Sequence, residues 1–306
     1  MACRESLKTL RAMPDLRCEV LILAHNEAAN IEESVRSVLT QSWASETSLV
    51  GIIVVSTDST DGTDDIVREL QRVDKRVRLL ALPDRRGKVF DVNTGIRHTT
   101  ERLLAIIDAD VTVSEDCIPR LLEPMRSGNI GLTTPARAAL NMRHGVMNRI
   151  GHFMAELHNT LDRAKCGQVI VVDRRFAVID ERVTVDDAFQ EWAVIQAGST
   201  VERVPEAVVW SMAATTANDL IRQRRRVHAQ YLNLERVTGY RPATRSFKSV
   251  ARAAIRTPTV LKDRRLDIVA IAMLLDSWAR LLGRLDGIAG RKYETWVASP
   301  TTKSHA

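Results

Sequence analysis

The chain has 306 residues, of which 45% are apolar and 27% charged, and a formal charge of +6. This balance excludes a disordered polymer and suits one large α/β domain or two small ones. The arginine-rich basic excess favours an anionic partner, nucleotide, phosphate or membrane surface, with nucleic acid not expected.

The first third alternates two kinds of signal. "CEVLILA", Cys18 to Ala24, reads as a strand, and Ile31, Val35, Val38 and Leu39 then fall on one helical face. "LVGIIVVS" is a second strand. After the turn-rich "TDSTDGT", the segment "DDIVRELQRV" is a helix that Thr63 can cap, with Asp64 and Asp65 at the positive end of its dipole. "VRLLAL" is a third strand, "GKVFDVNTGIRHT" turns into a helix, and "LLAIIDA" is a fourth strand. Nearly all-apolar strands in βαβαβαβ order predict a parallel sheet covered on both faces. Downstream, "IGLTTPA", "GQVIVVDRR" and "VERVPEAVVW" read as strands. Helices are predicted at "MNRIGHFMAELHNTLDRA", "DDAFQEWAVIQAG", "ANDLIRQRRRVHAQYLNLERV" and "LDIVAIAMLLDSWARLLGRL". The last has amphipathic spacing through Ile268, Ile271, Leu275, Trp278, Leu282 and Leu285, and packing on the protein's own core is favoured over docking on a membrane. Trp192, Trp210 and Trp278 are expected in the core. No apolar run reaches the length of a membrane span.

In parallel sheets ligands bind beyond the carboxyl ends of the strands. "AHNE", "STDSTDGT" and the pair Asp108 and Asp110 all lie at that end and should converge on one crevice. Two carboxylates at a strand end suit a hard cation, Mg²⁺ or Mn²⁺, whose shell is completed by substrate phosphates and water. Taken alone the D-x-D is a weak signal, equally a pair of solvated acids.

It does not stand alone. "ILAHNEAANIEESVRSVLTQS", "IIVVSTDSTDGT", "RGKVFDVNTGI" and "LLAIIDAD" resemble, in order and spacing, the donor half of family 2 glycosyltransferases. "CGQVIVVDRR", "VTVDDAF", "VERVPEAVVW" and "QRRRV" extend the resemblance to about Leu234. It implies a GT-A fold, a nucleotide diphosphate sugar as donor, a divalent Mg²⁺ or Mn²⁺, and inverting transfer to a hydroxyl acceptor that is small or lipid-linked. It implies that Ala24, His25 and Glu27 border the nucleotide, and that Lys88 and Asn93 belong to the nucleotide site. Asp108 would face ribose and metal, and Asp110 would ligate the metal directly. Asp187 would be the general base, preceded by Asp186 where the family has glutamate. Gln223 and Arg226 match its Q-x-x-R, whose arginine approaches the diphosphate. The family's aspartate pair after the second strand is replaced by Ser56 and Thr57, with Asp58 as substitute. Its final tryptophan is Val227, which cannot stack on a sugar; with the absence of membrane-span runs, this argues for a non-processive enzyme.

The implied organisation is an N-terminal tail (1–16), a donor half (17–115), an acceptor half of the same domain (116–238), and an arginine-rich joint with the amphipathic segment and tail (239–306). Scattered cysteines without a CxxC pair, and a polar N-terminus, point to free thiols and a cytoplasmic location, with peripheral contact at the inner membrane surface as an option. His158 is rotated away from His152 and Glu156, which argues against a zinc site and for a surface or acceptor-lining helix. Two rival readings are a nucleotidyltransferase, whose glycine-rich loop "AHNEAAN" lacks, and a non-catalytic basic binding module.

Overall fold

The computed structural model describes residues 15–291 and Tyr293. Cys3, the tail before Asp15 and residues 294–306 lie outside the described residues. The predicted alternation is present: β1 (Leu16–Ala24), α1 (Ile31–Leu39), β2 (Thr47–Thr57), α2 (Thr63–Val73), β3 (Val77–Leu82), α3 (Lys88–Arg97) and β4 (Leu103–Asp108). Then come β5 (Val111–Val113), α4 (Cys117–Leu122), β6 (Ile130–Ala139), α5 (Val146–Thr160), β7 (Val169–Asp173), α6 (Asp187–Gln196), β8 (Thr200–Ser211) and α7 (Ala217–Thr238). Helices α8 (Phe247–Ala254), α9 (Pro258–Leu261) and α10 (Leu266–Ile288) follow. Short β5, α4, α8 and α9 have no counterpart in the sequence reading, being too brief to show a period.

The eight strands form one sheet in the order β3-β2-β1-β4-β7-β6-β8-β5. The first four are mutually parallel, so their carboxyl ends share one edge. β7 joins β4 antiparallel, and the sheet becomes mixed from there. Side chains of β1 and β2 alternate between two cores. Val20, Ile22, Ile52 and Val54 pack toward α1 and α2, whereas Leu21, Ile53 and Val55 face α3. Gly95 lets α3 lie close, because a Cβ there would stand 3.0 Å from Val55 Cγ2 and 3.2 Å from Leu21 Cδ1. Leu103 to Ile107 are all buried. Each such side chain contributes about 1.5–3 kcal/mol, enough together to hold the strand in place while its last residue, Asp108, is carried to 7% exposure.

Two local expectations are corrected. Thr63 is the first residue of α2 rather than its cap; Gly62, at φ 96°, occupies that position. The Thr63 hydroxyl instead donates to Asp61 Oδ1 and accepts from the Glu27 N–H at 2.8 Å. The buried face of α10 also differs from the predicted one. It consists of Ile268, Ala272, Asp276, Ala279, Gly283 and Asp286, while Ile271, Trp278 and Leu285 point outward and Trp278 is 53% exposed. Trp192 and Trp210 are half-buried. The reason lies on α7. Asp276 pairs with Arg224 at 2.7 Å, His228 at 3.0 Å and Arg280 at 3.1 Å, and Asp286 pairs with Arg225 at 2.5 Å. Gly283 permits the approach: a Cβ there would come within 2.7 Å of the Arg225 carbonyl. Cys18, Cys117 and Cys166 are buried free thiols. Among the described residues, no helix is long and apolar enough to cross a membrane.

Candidate active site

Two loops at the carboxyl edge are stitched together. Asn26, at φ 54°, accepts the Thr60 N–H at 2.7 Å, and its own N–H donates to Ser59 Oγ at 3.0 Å. Asp61 accepts from the Ala28 N–H at 3.0 Å. Against the upward push of burial, bonds from Thr63 and Ala28 hold the Asp61 carboxyl below the usual range. This lattice fixes "AHNE" against the loop after β2. His25 Nδ1 lies 2.6 Å from the Thr57 carbonyl, which requires the proton on Nδ1.

A small cavity opens beneath, lined by Ala24, His25, Glu27, Thr57, Arg85, Lys88, Asp91, Asp108 and Asp110. Of the predicted nucleotide-site residues, Asp58 and Asn93 do not line it. Asp58, at φ 47°, is exposed. Asn93 spends its amide on backbone, donating to the Ile179 carbonyl at 2.8 Å and accepting its N–H at 2.9 Å. That clamp fixes α3 to the segment before α6. Asp91 and Arg85 were not singled out from sequence. The available signal for Asp91 was its spacing, three residues after Lys88, on the same helical face. Burial pushes the Asp91 carboxyl up to about 6, and its Oδ1 is buried without a partner.

Lys88 starts α3 after Gly87, whose φ of 101° suits glycine alone. Its ammonium reaches Asp108 at 2.6 Å and Asp186 at 3.1 Å, joining the end of β4 to the start of α6. Burial pushes Asp108 up to about 7 despite Lys88, with Asp110 and Asp186 adding repulsion. Burial, then the nearby Glu27, push Asp110 up to about 6, and its Oδ1 is buried without a partner. Crowded carboxylates, one with an orphaned oxygen, have the oxygen chemistry that a divalent cation takes. Among the described residues no cluster of three or more His, Cys, Asp or Glu side chains is placed to enclose a metal. Two carboxylates are what a cation shared with a diphosphate would need from the protein.

Lys88, Asp108 and Asp110 also line a second cavity of about 420 Å³, together with Asp186, Asp187, Gln223, Arg226 and Val227. Thus the residues predicted for transfer chemistry surround one space. Burial raises the Asp187 carboxyl above its ordinary value, against Lys165, with Asp186 reinforcing the rise. Burial lowers Arg226, against Asp108, Asp110 and Asp186. The predicted acceptor-lining helix α5 contributes His158 to this wall, whereas His152 Nε2 lies 2.7 Å from the Asn141 carbonyl. Arg137 and Lys165 line it too and were missed. Arg137 sits in "TTPARAA", read only as a strand.

The model for "Glycosyl transferase family 2" matches residues 19–184. The glycosyltransferase AglE of Haloferax volcanii is 27% identical over 123 residues, 38% of this chain and 40% of AglE. The poly-beta-1,6-N-acetyl-D-glucosamine synthase of Staphylococcus aureus is 21% identical over 242 residues, 72% of this chain and 57% of the synthase. The matched stretch is therefore about half the length of these relatives. Among solved structures, the mannosyltransferase PcManGT of Pyrobaculum calidifontis, in complex with GDP-Man and Mn²⁺, superposes with a TM-score of 0.64 at 16% identity, covering 95% of this chain and 94% of that one. That likeness identifies the fold as GT-A.

Proposed function

The chain belongs to glycosyl transferase family 2, and we propose that it moves one sugar, with inversion, from a nucleotide diphosphate sugar to a hydroxyl acceptor, assisted by Mg²⁺ or Mn²⁺. The observation that carries this reading is the sharing of Lys88, Asp108 and Asp110 between the two cavities. A nucleotide in the smaller one would present its diphosphate at that junction, with its sugar entering the larger one beside Asp187.

His25, Thr57 and Asp91 offer polar groups to base and ribose. A cation held by Asp110 and Asp108 would neutralise the departing diphosphate. Asp187 accepts the proton of the acceptor hydroxyl as that oxygen bonds to the anomeric carbon. The bond from that carbon to the phosphate oxygen breaks on the opposite face, and the diphosphate leaves with the electron pair beside Arg226. Val227 gives the acceptor wall an aliphatic surface in place of a flat ring, which supports transfer of single sugars. PcManGT and GalNAc-T7, the latter solved with UDP and Mn²⁺, are neighbours of different nucleotide, so the base is left open.

The outward face of α10 supports peripheral contact with an anionic bilayer, which would place the enzyme at the inner membrane surface. Leu274, Trp278, Leu281 and Leu285 are exposed there, on a segment that also exposes Lys248, Arg252, Lys262 and Arg264.

The deciding experiment is thermal shift with a panel of nucleotide sugars, with and without Mn²⁺. At a hundredfold excess over Kd one donor should stabilise the protein by about 2.7 kcal/mol. Asp110→Ala should abolish the Mn²⁺-dependent part. A full shift in that variant would refute the metal assignment.

A further inference from the structure

Past Asp187, the large cavity reaches basic groups that the donor and base assignments leave unused. Arg137 comes from β6, Lys165 from the segment before β7, and His158 from α5; none of them lines the smaller, nucleotide-side cavity. Lys165 is 9% exposed, and its ammonium donates to the carbonyl of the adjacent Cys166 at 3.2 Å. Arg137 donates to Gln168 Oε1, which also accepts from Ser211 Oγ at 3.1 Å. These contacts are to neutral oxygens. Among the described residues, neither cation has a carboxylate within the 4.0 Å of an ion pair.

His158 is 5% exposed, and its Nε2 is buried without a hydrogen-bond partner. A Cβ built on Gly167 would lie 3.6 Å from His158 Cε1 and 3.7 Å from Arg137 Nη1. Imidazole and guanidinium therefore flank a glycine that leaves room between them. Burial, then Arg137, Lys165 and Arg203, hold His158 well below its usual range and keep it neutral. Beyond this cluster the wall becomes apolar, formed by Ile150, Met154, Leu157, Leu220 and Met273.

The charges of Asp187, Asp108 and Asp110 reach Arg137, and those of Asp187 and Glu191 reach Lys165, without a direct ion pair. Buried cations held only at a distance by carboxylates are costly, and an anionic ligand between them would offset that cost. We propose that Arg137, Lys165 and His158 form a phosphate-binding subsite for the acceptor, so that the molecule presenting its hydroxyl to Asp187 also carries a phosphate. This rests on the glycosyltransferase reading. The arginine fork and the ammonium match phosphate oxygens, and the neutral imidazole lines the site beside them without adding a charge. The apolar wall would accommodate the remainder of a lipid, and a soluble phosphate ester would leave it uncovered.

The test uses the full chain saturated with nucleoside diphosphate and Mn²⁺, titrated calorimetrically with glycerol 3-phosphate and, separately, with phosphatidic acid in neutral detergent micelles. One or both probes should bind. Binding should weaken by about tenfold or more in Lys165→Met and in Arg137→Gln, while the Kd for nucleotide sugar changes less than about twofold. Lys165→Met should melt no lower than the parent, since it removes a buried charge. Binding of glycerol 3-phosphate marks a soluble source, and binding of the micellar probe alone marks a lipid. Absence of binding by both probes, equal binding in the variants, or a tenfold loss of nucleotide-sugar affinity would overturn the subsite. If the parent protein binds no nucleotide sugar, the glycosyltransferase reading falls separately. The same titrations without nucleotide then still judge the subsite, through the parent-to-variant ratio.

Discussion

At the scale of single residues, Asp187 and Asp91 illustrate what burial does to a carboxylate. Asp187 is held above the ordinary carboxylate value of ~3.9 by burial. Its basic form is the ionised one, so transfer should decline as pH falls through a point above ~3.9 and be complete well above it. A kcat profile whose acidic limb lies at or below that value would contradict the assignment. Asp187→Asn should lower kcat by ~10²- to 10⁴-fold with donor affinity unchanged, read by steady-state kinetics beside nucleotide binding. Asp91 lines the smaller cavity and has a buried oxygen without a partner; in the proposed reading that oxygen would accept an N–H of the base. Asp91→Asn should weaken nucleotide binding about tenfold and leave kcat at saturating donor intact; an unchanged Kd would remove it from the site. Local pattern places Asp108 and Asp110 at a strand end, whereas Lys88, Asp186 and Asp187 are reached only through the resemblance to family 2 glycosyltransferases; all five line one cavity. Asp58 and Asn93 sit in equally well-marked segments, yet Asp58, in a left-handed backbone, is exposed outside the cavity and a clamp on Ile179 occupies Asn93. Such outcomes depend on backbone angles and distant carbonyls, which residue spacing does not encode.

At the scale of elements, α7 works on two faces. One turns Gln223 and Arg226 to the cavity, and the other anchors Arg224, Arg225 and His228 on α10. Apolar periodicity locates α10 and places Ile268 inward as observed, with Leu275 and Leu282 half-buried, but it also places Ile271, Trp278 and Leu285 inward where the structure exposes them. A carboxylate in a helix is read as outward-facing unless its partners are known, and two of the three partners of Asp276, Arg224 and His228, lie about fifty residues upstream. Burial opposes ionisation of Asp276, but Arg224 and His228 more than offset it and hold the carboxyl far below the usual range. Removing it strands buried cations, so Asp276→Ala should destabilise the protein by about 3–5 kcal/mol. Because α7 carries Arg226, activity should fall at temperatures where the variant is still folded. Denaturant unfolding and initial rates measure the two effects. A stability loss below ~1 kcal/mol, the range of exposed pairs, would show that the cluster does not fasten α7.

At the scale of the whole molecule, the outward turn of part of α10's expected face makes the proposed membrane contact testable. The buried side of the helix combines Ile268 and Ala272 in an apolar cluster with the ion pairs of Asp276 and Asp286, and other apolar residues of the helix face solvent: Leu274 is 70% exposed, Trp278 53% and Leu285 52%. A contiguous apolar stripe of this kind is unusual on a surface with no partner. The α8–α10 segment also exposes Lys248, Arg252, Arg256, Lys262, Arg264 and Arg284, although Arg252 and Arg256 share Asp162. Each cation near an anionic bilayer contributes about 1 kcal/mol, screened over roughly 8–10 Å at physiological salt. The protein should therefore sediment with vesicles containing phosphatidylglycerol and remain largely free with neutral phosphatidylcholine. Raising salt to about 0.5 M should reduce binding by shortening the screening length. The double variant Leu274→Asp, Trp278→Asp should release the protein from anionic vesicles while leaving donor binding intact, because neither residue lines either of the two cavities at the site. Equal sedimentation with both vesicle types, or anionic binding that survives the double variant, would show that this face is not what meets the membrane.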